Sequence, residues 1–264
     1  MSLNTPAGLL DYNRNAWNGL VEKKNRWTQP VSTEVIRKAR DGQWQIVLTP
    51  SKPVPRSWFG KIRDSRILCL ASGGGQQGPT LAAAGARVTV FDNSENQLEQ
   101  DRFVAQREGL EIELVRGDMA DLQRFADNSF DLIFHPCSNT FVPSILPVWK
   151  EAFRVLKAGG SLLSGFCNPL IFLFDDHLAR EGQLQVRHSI PYSDVDSLSN
   201  EEREKLIEEG EPLCFGHSLE DQIGGQILAG FSITGFYEDY WKDDSEPLDR
   251  YIASFIATRA TKLT

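Results

Sequence analysis

The chain has 264 residues, enough to bury an α/β core without a disulfide or metal staple. A formal charge of −8, with no Lys/Arg cluster, disfavours a nucleic-acid partner. Met1 to Trp17 does not read as an export signal and no apolar run is long enough to span a bilayer, so a cytoplasmic protein with no membrane partner is expected.

The first 65 residues mix aromatic and polar positions without sustained periodicity. Tyr12, Trp17 and Trp27 precede a short predicted helix, Thr33 to Arg40, and Trp44 to Leu48 reads as a strand before Pro50, Pro53 and Pro55. The segment is expected to be an extended cover, and its tryptophans at 17, 27, 44 and 58 are expected to pack that cover onto the body rather than stack on a substrate.

From Ser65 onward the pattern becomes regular. Short apolar strands are predicted at Ile67 to Ala71, Arg87 to Phe91, Ile112 to Arg116, Phe130 to His135 and Ser161 to Cys167, with helical stretches between them, which is the pattern of a doubly wound parallel sheet. Ser94 and Gln97 make a capping box for a helix that stops at Gly109. Leu146, Trp149, Phe153 and Leu156 share the face of another, which stops at Lys157 to Gly160. Residues 170–217 interrupt the rhythm as an insertion containing a charged helix, Asn200 to Glu209. The alternation then resumes with a helix at Ser218 to Ala229 and strands at Phe231 to Tyr237 and Tyr251 to Thr258. The polar link Asp243 to Asp249 is too short for a helical crossover, so that pair should be antiparallel.

The first strand feeds directly into Ala71-Ser72-Gly73-Gly74-Gly75-Gln76-Gln77-Gly78, a glycine-rich turn opening a helix of small residues, Thr80 to Ala84. Bare backbone and unpaired helix N–H groups suit a nucleotide there. The next strand ends on Asp92, 19 residues beyond Gly73, the distance expected of a carboxylate that accepts ribose hydroxyls. The third ends at Arg116-Gly117-Asp118-Met119, and the fourth opens into His135-Pro136-Cys137-Ser138-Asn139. Read separately, Asp92 is also a helix cap and Asp118 a turn residue; acids at successive strand ends after a glycine turn favour a ligand. The four cysteines, Cys69, Cys137, Cys167 and Cys214, lack CxxC spacing and read as free thiols rather than disulfides or a metal site.

This succession resembles the class I S-adenosylmethionine-dependent methyltransferases, in particular the small-molecule group called type 11, over about residues 60–170. The resemblance implies a Rossmann-like, seven-stranded α/β sheet with an antiparallel last strand, S-adenosylmethionine as cofactor, and methyl transfer to a small-molecule acceptor. It implies that the glycine loop holds the methionine end, that Asp92 matches the ribose-binding acid, that Asp118 and Met119 match the adenine contacts, and that His135 and Pro136 begin the loop beneath the methyl donor. The expected cofactor set is therefore Ala71, Ser72, Gly73, Gly75, Gln77, Asp92, Asn93, Gln97, Gly117, Asp118, Met119, His135 and Pro136. Two positions depart from the family pattern: Cys69 stands where the first strand commonly carries an acid, and Ala71 where the loop carries its first glycine. Loop orientation would then fall to Ser72, Gln77 or the N-terminal aromatics. The expected organisation is one domain: a cover at 1–65, a core at 66–169 and 218–264, and a substrate-side insertion at 170–217.

Methyl transfer from a sulfonium is an in-line displacement that needs alignment and dryness more than any fixed catalytic residue. No catalytic residue is therefore assigned. An oxygen or nitrogen acceptor would benefit from a base, for which His135 is the candidate at a strand end, ahead of His177, His188 and His217. Two alternatives stand beside this reading: a nicotinamide- or flavin-dependent oxidoreductase using the same GxGxxG turn, and a non-catalytic S-adenosylmethionine-binding module.

Overall fold

The computed structural model describes residues 3, 5–242 and 246–263. The N-terminal segment, expected to be extended, instead begins with a long helix, α1 (Pro6–Glu22), capped by the Thr5 hydroxyl and started by proline. Leu9, Asn13, Ala16 and Leu20 are its buried residues and fall at helical spacing. With an asparagine and an alanine among the four, that stripe carries little apolar signal. α2 (Thr33–Arg40) forms over the residues predicted, with Ser32 as its cap.

No strand forms at Trp44 to Leu48. Trp44, Ile46 and Leu48 alternate inward as a strand's residues would, but the prolines that follow cannot donate to a ladder, and a lone bridge from Val47 to Pro53 remains.

The body alternates β1 (Arg66–Leu70), α3 (Gln77–Ala83), β2 (Arg87–Asp92), α4 (Glu95–Glu108), β3 (Ile112–Arg116), β4 (Phe130–His135), α5 (Leu146–Val155) and β5 (Leu156–Cys167). The expected helical link between β3 and β4 is absent, and residues 117–129 cross as turns. Residues 170–217 hold α6 (Asp176–Arg180), β6 (Tyr192–Ser193), α7 (Asp194–Ser197), α8 (Asn200–Glu209) and β7 (Phe215–Gly216), with β6 and β7 paired in a small ribbon of their own. α8 has the full capping box of Ser199 and Glu202 and stops at left-handed Gly210. The predicted helix at 218–229 starts as a π turn and ends as α9 (Gly225–Leu228), followed by β8 (Ser232–Asp239) and β9 (Phe255–Thr261). Of the polar link before β9, residues 243–245 lie outside the described residues.

Seven strands form one sheet in the order β3-β2-β1-β4-β5-β9-β8. The first five are parallel, and β9 runs antiparallel to both β5 and β8, as the sequence implies. Apolar layers cover both faces: Ile67, Val90, Leu132 and Phe134 pack under α2, α3 and the cover, while Leu68, Phe91, Ile133 and Leu162 pack under α5. No described helix is long and apolar enough to cross a membrane. After β1 the chain goes outward to β2 and later returns to β4 on the other side, so the loops part at the carboxyl ends of β1 and β4, where open α/β sheets hold ligands.

Candidate functional site

A cavity of about 400 Å³ lies along those strand ends. Its floor is Ala71 to Gly73 after β1, Asp92 to Ser94 after β2, Gly117 to Met119 after β3, Pro136 to Ser138 after β4 and Cys167 at the end of β5.

The glycine loop is held from beneath by two acids. Gly73 N–H donates to Asp92 Oδ2 at 2.9 Å. Gly74 and Gly75 N–H both donate to Asp101 Oδ2, at 3.0 and 3.1 Å. A Cβ on Gly73 would fall 2.7 Å from Gln97 Cβ, so the bare backbone is required there. Gly75, expected in the cofactor set, does not line the cavity; it packs against Pro30 and the Gln100 carbonyl, because its N–H turns toward Asp101. Ala71 has φ +46°, the left-handed region that glycine occupies without strain. Replacing Ala71 by Gly therefore raises stability by up to about 1 kcal/mol, the relief of strain exceeding the added unfolded-chain entropy; a lower denaturation midpoint for A71G would refute it.

Asp92 is half-buried in the cavity wall, its second oxygen accepting Ser94 N–H at 2.9 Å. Burial pushes its carboxyl above the usual range, against the pull of these N–H groups. Asp118 also lines the cavity, with Oδ1 accepting Ala120 N–H at 2.9 Å, and burial again raises it. Met119 lies beside it. Gly117 lets the chain pass the Phe91 ring, which a Cβ would meet at 2.2 Å. Asn93 lines the cavity and ties the cover down through Nδ2 to the Leu10 carbonyl at 2.9 Å. Ser72, Gln77 and Gln97 line it too, and Gln97 Oε1 is buried with no hydrogen-bond partner among the described residues.

His135 is displaced from its expected role. It is fully buried and absent from the cavity lining, with Nδ1 2.8 Å from the Leu70 carbonyl and Nε2 on the Asn139 side chain. Strand alternation turns it with Ile133 toward α5, where it meets Trp149 edge-on. Burial lowers its pKa against the pull of the two oxygen contacts, and a ring sealed under α5, away from the cavity, is a structural group. Pro136, one residue on, lines the cavity as expected. The other three histidines also stand outside the lining.

The roof comes from the cover. Leu10, Asn13, Arg14 and Trp17 of α1 line the cavity, as do Trp27 and Val47 to Pro50. Trp17 and Trp27 thus face the cavity, whereas Trp44 and Trp58 are buried in the core as expected. Asn13 clips the roof in place, bridging the Phe141 and Leu213 carbonyls, both at 3.0 Å. Among the described residues of the insertion Ile171 alone reaches the lining; its C-terminal end buttresses α1, with Leu213 and Phe215 packed on Leu9 and Tyr12 Oη on the Glu211 carbonyl at 2.8 Å. Trp241 and Glu246 close the outer side, and Trp241 meets Trp27 at 6.0 Å with the Arg26 guanidinium over both rings. Neither is legible in the sequence as a wall: Glu246 lies in the polar link and Trp241 just before it, beyond the predicted strand. The cysteines are unbridged, and Cys137 and Cys167 sit side by side at the tips of β4 and β5, where Cys137 N–H donates to the Leu48 carbonyl at 3.2 Å. The neighbouring Cys167 thiol and burial push Cys137 well above the usual thiol range.

The lining suits an adenosine sulfonium cofactor: three half-buried carboxylates, Asp92, Asp118 and Glu246, an orphaned amide oxygen, a glycine floor that a Cβ would fill, and, among the described residues, a single cation, Arg14. It does not suit a pyrophosphate, since the Gly74 and Gly75 N–H groups are already taken by a carboxylate. Residues 68–164 match the methyltransferase domain family. The chain is 56% identical to the uncharacterized methyltransferase YbaJ of Bacillus subtilis, over 97% of this chain and 99% of that protein. It is 37% identical to a sterol 24-C-methyltransferase of Gibberella zeae over 38% of this chain and 27% of that enzyme. Its fold is that of an S-adenosylmethionine-dependent methyltransferase from Mesorhizobium loti, with a TM-score of 0.60 at 20% identity, covering 78% of this chain and 94% of the other. Match and geometry together set the oxidoreductase alternative aside: the chain belongs to the class I S-adenosylmethionine-dependent methyltransferases.

Proposed function

We propose that this methyltransferase acts on a small, uncharged, largely apolar acceptor, bound at the tips of β4 and β5 next to the cofactor. The observation that carries the reading is the division of one cavity: acids at the tips of β2 and β3, and apolar or thiol side chains at the tips of β4 and β5 under the segment Val47 to Pro50.

In this reading Asp92 accepts the ribose hydroxyls, Asp118 accepts from the adenine amine beside Met119, and Ser72, Gly73, Gln77 and Gln97 receive the methionine end. Ala71, Asn93, Gly117 and Pro136 shape the walls. S-Adenosylmethionine, when bound, supplies an electrophilic methyl group. The chain's own residues orient and dry the site. Trp17 and Trp27 roof it, Trp241 closes the outer edge, and Val47, Leu48, Ile171 and Phe255 pack the acceptor against the donor side. No histidine lines the cavity, so the acceptor nucleophile is one that attacks without a histidine base. The cover, residues 5–65, together with Trp241 and Glu246 forms the acceptor's lid, and the insertion is its brace, within one domain that acts in the cytoplasm.

The test is a methyl-transfer assay with isotopically labelled S-adenosylmethionine against a panel of neutral apolar thiols, phenols and amines beside charged metabolites and nucleic acids. Turnover confined to apolar acceptors, and lost in Ile171→Glu while S-adenosylhomocysteine still binds, is expected. Turnover only on charged acceptors or nucleic acid would refute the acceptor class. Binding of S-adenosylhomocysteine with no turnover across the whole panel would favour a non-catalytic binding module.

A further inference from the structure

Asp101 lies on α4, beneath the glycine loop, and does not line the cavity. It is nonetheless fully buried and spends one oxygen, Oδ2, on the N–H groups of both Gly74 and Gly75. The other oxygen, Oδ1, is buried without a hydrogen-bond partner among the described residues. A buried acid is costly and is retained only where its contacts matter. Cys69 on β1 is fully buried and close enough that Asp101 raises its thiol further, beyond the effect of burial. Ser72 and Gln77, expected to orient the loop, bond weakly to each other at 3.3 Å and to none of the loop's three glycine N–H groups.

We infer that Asp101, on the helix after the second strand, is the positioning residue for the methionine-binding loop. Its Oδ2 holds Gly74 and Gly75 in their left-handed conformations, φ +107° and +73°, and so presents Gly73 to the cavity. Gly74 has one further tie, its N–H lying 3.1 Å from the Gln97 carbonyl, and this joins the loop to the same helix. Hydrogen-bond acceptance at Oδ2, rather than contact with any ligand, is what the role requires, so an asparagine should serve and an alanine should not. The inference rests on the proposed placement of the methionine end over the loop and the adenosine over Asp92 and Asp118.

The experiment is calorimetric titration of wild-type protein, Asp101→Asn and Asp101→Ala with S-adenosylhomocysteine and with 5′-methylthioadenosine, which carries the adenosine without the amino-acid end. Asp101→Ala should weaken S-adenosylhomocysteine about tenfold or more and methylthioadenosine less than about threefold, and Asp101→Asn should bring the first back to within about threefold of wild type. Equal loss of both ligands, or no loss of either, overturns the inference. Should Asp101→Ala not fold, amide exchange in the wild-type protein decides: Gly74 and Gly75 should exchange among the slowest loop amides, and fast exchange at both overturns the role. Wild-type protein that binds neither ligand overturns the cofactor placement together with this inference, whereas a wild type that binds both while Asp101→Ala matches it overturns this inference alone.

Discussion

Replacing Asp92 by alanine weakens S-adenosylhomocysteine binding by about 1.5–3 kcal/mol, roughly ten- to more than a hundredfold, the usual worth of hydrogen bonds to a charged group. Two features of the site set that size. The carboxylate is fixed before any ligand arrives, because Gly73 and Ser94 N–H groups hold one oxygen each at 2.9 Å. Burial also raises its pKa, so its charge is poorly solvated and gains more than a surface acid would from hydroxyl donors. The same N–H contacts mean that D92A also loosens the glycine loop, so affinity alone does not separate ribose recognition from scaffolding. A comparison of adenosine with 2′,3′-dideoxyadenosine does. Wild-type protein should prefer adenosine, and D92A should lose the preference; a variant that binds more weakly yet keeps it would reject the ribose role.

The strand ends were legible because the chemistry of a parallel sheet is written locally. Each of the first four strands ran to within a residue of its expected end, and Asp92, Asp118 and Met119 follow from counting to those ends. The same counting misplaced His135. A residue at a strand tip can point either way, and the two-residue period sends 135 with Ile133 toward α5 while Pro136 and Cys137 reach the cavity. The roof was less legible. α1 buries Asn13, whose value lies in bonds to Phe141 and Leu213, 128 and 200 residues away in sequence, and no local pattern encodes partners so distant. Glu246 in the polar link and Trp241 just before it are illegible for a related reason, since they become a wall only when β9 returns between β5 and β8. Asp101 escaped because, on sequence, it is one more acid on a polar helix; its burial depends on the glycine loop folding across it.

That buried acid should govern how stability depends on pH. Burial, with a smaller push from Asp92, raises Asp101 to about 8, against the loop N–H groups that pull the other way. In the unfolded chain the same group titrates near 3.9. Below about pH 4 both states hold the proton and the group contributes no pH dependence. Between about 4 and 8 the folded state holds a proton that the unfolded state has lost, so stability falls as pH rises across that window and levels off above the folded value. The drop is on the order of 5 kcal/mol at most for this single group. Asp92 and Asp118, also raised by burial, add in the same direction. Asp101→Asn removes one share while keeping an acceptor for Gly74 and Gly75. Its amide nitrogen would meet the place where Oδ1 now has no partner, a cost of about 1–3 kcal/mol that does not vary with pH. The offset at any one pH is therefore a poor guide, and the slope is the prediction. Melting temperatures measured from pH 5 to 8.5 should diverge in favour of D101N as pH rises, each kcal/mol shifting the midpoint by about 2–4 °C in a chain of this size. Parallel curves for the two proteins would mean that Asp101 is already ionised in the folded state at pH 5, and that the two loop N–H groups outweigh its burial.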